Sequence, residues 1–229
     1  MCTGVTAINI SGSSDINVAG LSNGSKVAFS GNYAKTATLA IGTNSTADTI
    51  TLTMNDVNSA DVIANDYETV NLVANTTAAF INGEAFSIGT AQTLNVSGSA
   101  NVVLNLGVGS GNGRGAYTGT GVVAVGQVSA LKTINATALT GTLTLVASTA
   151  GVDQTILGGA GNDTFYVSAQ FNQSDSLDGG AGADTVVWTN ATTGTFRPVI
   201  QGVETLTMDF GAEAVIDLRN TSAASIATL

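Results

Sequence analysis

The chain has no histidine, one cysteine, one proline and charged side chains at only 10% of its positions. Each shortage closes a route. Without histidine there is no Ser-His-Asp triad, no Cys-His nucleophile pair and none of the usual zinc sites. Cys2 alone makes no internal disulfide and, lying at one end of the sequence, is a poor nucleophile candidate. No window of about 18 apolar residues occurs, which excludes a membrane-spanning helix. A basic stretch followed by an apolar leader is also missing. The start at Met1 therefore reads as a fragment boundary, or as export directed by a signal at the other end. Lys, Arg, Glu and Gln, whose straight side chains lose little freedom on a helix, are scarce. No segment offers a long amphipathic helix.

What is present points to strands and turns. The 229 residues suffice for one large all-β domain or two smaller ones, and 44% are apolar, enough for a core. The polar part is mostly Thr, Ser, Asn and Gly, residues of strands and tight turns. The formal charge is −10, from 16 acids against six bases, which repels nucleic acid and suits a cation-rich exterior.

A loose unit recurs along the chain. It appears as AINISGSSDINVAGL from Ala7, ETVNLVANTTAAF from Glu68, QTLNVSGSANVVLNL from Gln92, KTINATALTGTLTLV from Lys132 and ETLTMDFGAEAVIDL from Glu204. Each joins two short alternating strands through a few small polar residues. Ile8 and Ile10, Val70 and Leu72, Leu94 and Val96, and Leu206 and Met208 repeat with period two and form one inward face. The spacing is too uneven for a closed propeller or a strict solenoid. It predicts a ladder of stacked rungs with insertions or, alternatively, a β-sandwich plus a short β-roll. Gly107–Gly121 is a glycine-rich surface excursion without the Gly-Lys-Ser/Thr ending of a phosphate loop. Asn58–Glu68 is expected to hold a short helical turn.

One phrase is strict. GGAGNDTFY from Gly158 and GGAGADTVV from Gly179 share a Gly pair, a third Gly, an Asp at position six and a large apolar residue at position eight. Glycine permits positive φ and leaves carbonyl oxygens open, while Asp adds a carboxylate. A hard cation taking 6–8 oxygens suits that mixture. Between the copies, QFNQSDSLD from Gln170 keeps the register with Asp175 and Leu177. Upstream, TAGVDQTIL places Ile156 at position eight with Asp153 nearby. The strong pair is expected on one side of a roll, one coil apart, and the pair around Asp153 and Asp175 on the other. The extra residues Val167–Ala169 are expected to displace the turns laterally. Asp48 and Asp61, in the phrases STADTITL and NSADVIA, are weaker echoes, read mainly as turn aspartates bonding their own backbone.

The pattern G-G-x-G-x-D-x-apolar-x resembles the RTX family, the Gly/Asp-rich nonapeptide β-roll proteins, over about residues 149–187. The resemblance implies a right-handed parallel β-solenoid or β-roll, calcium in the turns, export by type I secretion and folding completed outside the cell. The implied Ca2+ ligands are the side chains of Asp163 and Asp184, backbone oxygens of Gly158, Ala160, Gly179, Gly180 and Gly182, and the Asp178 carboxylate, with Asp153 and Asp175 weaker. Residues 1–148 then form an irregular β-repeat region and 149–229 a β-roll region with C-terminal strands, the two together one continuous solenoid or separate units. Composition further resembles bacterial S-layer proteins and large secreted adhesins. The expectation is a structural, non-enzymatic protein of the bacterial cell surface, associating with copies of itself in a lattice and with calcium. A cell-surface polysaccharide is a further expected partner. The alternatives are an adhesin module binding a surface or glycan, and the non-catalytic stalk of a secreted enzyme.

Overall fold

The computed structural model describes residues 6–30, 35–55, 61–75, 80–81, 86–106, 130–147 and 151–220. It is all-β, a solenoid of about eight turns whose strands pair in parallel. One sheet of nine strands runs the length of the stack. In order it comprises Ala7–Ile10, Ser25–Ser30, Thr49–Asn55, Thr69–Ala74, Thr93–Gly98, Thr133–Leu139, Thr155–Leu157, Ser176–Asp178 and Val199–Gln201. It contains strands from both sides of residue 148. The first coils return through a four-stranded sheet, Ile16–Leu21, Thr36–Ile41, Asp61–Ile63 and Phe86–Ser87. The later coils return through a six-stranded one, from Phe80–Ile81 through Val102–Asn105, Leu143–Val146, Thr164–Val167 and Thr185–Asn190 to Thr205–Phe210. Gly194–Phe196 pairs with Ala214–Ile216 in the last coils.

Stacking one strand per coil converts the sequence alternation into columns. On the inward face Ile50, Val70, Leu94, Ile134, Ile156, Leu177 and Ile200 are successive partners, each no more than 1% exposed. On the outward face Thr49, Thr69, Thr93, Thr133 and Thr155 form one column. Thr144, Thr164, Thr185 and Thr205 form another on the second sheet. β-Branched side chains pack well against neighbours on such a pleated surface, which is why this composition makes strands. In a third column Asn95 Nδ2 donates to Asn71 Oδ1 at 2.8 Å.

Two sequence expectations change. The segment Asn58–Glu68 contains no helix among its described residues: Asp61–Ile63 is a strand, joined by a turn at Asn65 and Asp66 to the next strand. The apolar residues Val62, Ala64 and Tyr67 are all buried, which aligns this stretch with the core. The extra residues Val167–Ala169 do not displace the turns. Thr164, Phe165, Tyr166 and Val167 pair in unbroken register with Thr185, Val186, Val187 and Trp188. The added length goes into the following connection. There Phe171 folds back edge-on to Trp188, with ring centroids 5.6 Å apart, and Ser168 O accepts the indole N–H at 3.2 Å. The glycine-rich excursion Gly107–Gly121 and Cys2 lie outside the described residues.

Candidate metal centre at the stacked corners

The two glycine-rich corners stack one coil apart. Gly158 N donates to Asp178 O, Gly179 N to Gln201 O and Ala181 N to Gly159 O, at 2.7, 2.9 and 2.9 Å. The approach leaves no room for side chains. A Cβ on Gly158 would stand 1.9 Å from Gly179 O, and one on Gly179 2.0 Å from Gly202 O. Gly180 and Gly182, both at positive φ, press in the same way on Gly159 O and Gly161 O. The glycines are thus fixed first by contact between neighbouring backbones.

The position-six aspartates begin strands of the six-stranded sheet and turn inward, each 1% exposed. They build a relay between coils. Asp163 Oδ1 accepts the Leu143 N–H of the preceding coil at 2.7 Å, and Asp163 Oδ2 accepts its own corner's Gly159 N–H at 2.7 Å. Asp184 Oδ1 accepts the Asp163 N–H, and Glu204 Oε2 accepts the Asp184 N–H, both at 2.7 Å. A buried backbone N–H needs such a partner, and a charged acceptor makes the stronger bond. Asp163 therefore has both oxygens engaged. Asp184 does not: its Oδ2 is buried with no hydrogen-bond partner. Burial pushes the Asp184 carboxyl up to about 6, helped by the charges of Asp163, Glu204 and Asp178 and opposed by the Asp163 amide. Burial likewise raises Asp163, against the amides of Gly159 and Leu143.

Asp178 stands at the same corner, its Oδ1 accepting the Gly180 N–H at 3.1 Å. Asp175 lies at the opposite corner, where strands of the nine-stranded sheet begin. Its oxygens accept the amides of Gln154 at 2.6 Å and Asn172 at 2.7 Å, and burial raises its carboxyl, with the Asp153 charge adding to the rise. Asp153 itself is exposed. Asp48 is a turn aspartate that accepts from Ser45 N at 2.5 Å and Ser45 Oγ at 2.8 Å, while Glu68 Oε2 accepts the Asp48 N–H. Of the Asp61 side chain nothing is described.

Glu204 and Glu68 belong to the same device, and reading the sequence for nonapeptides alone missed them. Their signal is an acid followed by Thr and an apolar residue: Asp48-Thr49-Ile50, Glu68-Thr69-Val70, Asp163-Thr164-Phe165, Asp184-Thr185-Val186 and Glu204-Thr205-Leu206.

Among the described residues no three acidic or thiol side chains converge closely enough to hold a metal by themselves. A cation here would need backbone carbonyls beside the carboxylates. The donor set fits that requirement: an orphaned anionic oxygen on Asp184, the Asp178 carboxylate nearby, and glycine corners with carbonyls packed between coils. Calcium accepts such mixed oxygen shells. Asp184 is the residue best placed to hold it, whereas Asp163 acts first as a brace between coils. No family model matches the chain, and neither a curated protein nor a solved structure shows significant similarity to it.

Proposed function

We propose that the chain is a structural protein of an extracellular surface layer, a calcium-braced solenoid that associates with copies of itself. The observation that carries this reading is the buried Asp184 Oδ2, left without a donor among Asp163, Asp178 and Glu204. An uncompensated carboxylate destabilises the folded stack, because burying a charge without a partner is costly. A divalent cation removes that penalty and, binding only the folded form, stabilises it by mass action. In a calcium-poor compartment the C-terminal coils stay loose; in a calcium-rich exterior they lock. The nonapeptide likeness supports the same conclusion. So do the outward columns of Thr, Asn and Ser side chains over a core filled by Trp188, Phe29, Phe86 and Phe165.

Electron microscopy of purified protein in millimolar calcium tests the reading. Ordered sheets or filaments that dissolve in chelator are expected. Monomeric particles in both conditions would reject the lattice, and binding of those monomers to a polysaccharide would favour an adhesin module instead.

A further inference from the structure

We propose that Asp178 decides whether its corner is a closed brace or a cation site: by taking the Gly180 N–H, it leaves Asp184 Oδ2 free for a cation. The link to a cation rests on the calcium reading proposed above. The competition itself is between two acceptors for one backbone N–H.

The first corner shows the arrangement without such a residue. Leu157 is the partner of Asp178 in register and offers no side-chain acceptor. There Asp163 Oδ1 accepts the Leu143 N–H of the preceding coil, and Asp163 Oδ2 accepts the Gly159 N–H, each at 2.7 Å. The second corner repeats only half of this pattern. Asp184 Oδ1 accepts the Asp163 N–H of the preceding coil at 2.7 Å. The N–H equivalent to that of Gly159 belongs to Gly180, and it donates instead to Asp178 Oδ1 at 3.1 Å. Asp184 Oδ2 is left buried with no partner.

The two carboxylates themselves are placed alike. A Cβ on Gly158 would stand 3.0 Å from Asp163 Oδ2, and one on Gly179 would stand 2.7 Å from Asp184 Oδ2. Each aspartate therefore lies against the first glycine of its own corner. What differs is the residue that carries the contested N–H. Gly180 has a φ of +98°, whereas Gly159 lies outside the left-handed region. Glycine adopts that conformation readily, and an aspartate commonly captures the amide two positions on. Such local capture competes with other uses of the backbone. The next coil leaves space for it, since a Cβ on Gly202 would stand 2.6 Å from Asp178 Oδ1 and 3.0 Å from Gly180 N.

The two acceptors differ in what else can serve them. Asp178 is half-buried, so water reaches it. Asp184 is 1% exposed, so only protein or a bound ion does. Capture by Asp178 thus puts the unmet need on the buried oxygen. This is why two corners with the same glycines and the same position-six aspartate differ, Asp163 bracing and Asp184 open.

Hydrogen exchange at the Gly180 amide, followed by NMR in chelator, tests the competition without any cation. Asp178→Leu copies the first corner. It is expected to pass the N–H to Asp184 and to slow Gly180 exchange by about tenfold or more, because a buried charged acceptor holds it. Asp178→Ala removes the acceptor without added bulk and is expected to agree. Asp178→Asn removes the charge but keeps the acceptor, and is expected to leave Gly180 exchange as in wild type. Leucine and alanine variants with unchanged Gly180 exchange would overturn the proposal, and so would an asparagine variant that slowed it equally. If Asp178→Leu slows Gly180 while wild-type Tm is the same in calcium and chelator, the competition stands and the calcium reading fails. If calcium raises wild-type Tm but neither variant alters Gly180, the calcium reading stands and the competition fails.

Discussion

Gly158 keeps its φ outside the left-handed region, so alanine there probes close approach alone. The new methyl would meet Gly179 O at 1.9 Å and force two coils apart. Gly158→Ala is expected to cost at least about 2 kcal/mol in chemical denaturation, because overpacking against an unyielding neighbour typically costs about 1–3. Gly211→Ala, whose nearest contact would be an ordinary 3.7 Å, is expected to change stability by less than about 0.5 kcal/mol. Equal effects would remove the stacking explanation of the glycines. Asp184 gives a second test at this scale. Its folded carboxyl binds protons more tightly than the unfolded chain's, so in chelator stability is greatest below the unfolded pKa and falls as pH rises through about 6. Asp184→Asn is expected to reduce that pH dependence, leaving the part due to Asp163 and Asp175, and to abolish the response to calcium; a variant that retained both in full would show that another group is responsible.

Between the coils, each strand contributes one rung to a buried column, and the cost of a defect should follow that column. Ile134, with Leu94 on one side and Ile156 on the other, is wholly buried. Ile134→Ala is expected to cost about 2–5 kcal/mol in denaturant unfolding, the usual range for a large core residue cut to alanine. Asn95→Pro removes a backbone donor from the middle of the nine-stranded sheet and should be worse than Asn95→Ala. If unfolding showed the proline tolerated, the strand order would be wrong. Much of this scale was legible in the sequence. The alternation of Val70 with Leu72 and of Leu94 with Val96 identifies strands and their inward faces, since a side-chain period of two has one structural meaning. The strand order was less legible, because a sandwich and a solenoid use the same strand-turn-strand unit. The nonapeptides alone fixed a coil length, and only for their own coils. The corner relay was hidden for another reason. Glu204 and Glu68 do in these coils what aspartate does in the nonapeptides, so a motif that demands Gly and Asp passes over them.

Across the whole molecule one feature recurs in successive coils of the stack: acids at the corners, buried at Asp163, Asp175 and Asp184. In the proposed reading these acids, in an all-β chain so short of bases, are what an external cation neutralises. The corners follow from parallel coils in register, in which Asp163, Asp184 and Glu204 succeed one another along the stack. Thermal unfolding in calcium, in magnesium and in chelator tests the central claim most directly. With calcium a hundredfold above its dissociation constant the stabilisation is about 2.7 kcal/mol, or roughly 5–10 °C in Tm for a chain of this size. Magnesium, which demands a tighter octahedral shell, should give much less. A melting curve that is the same in all three buffers would contradict a calcium-braced solenoid.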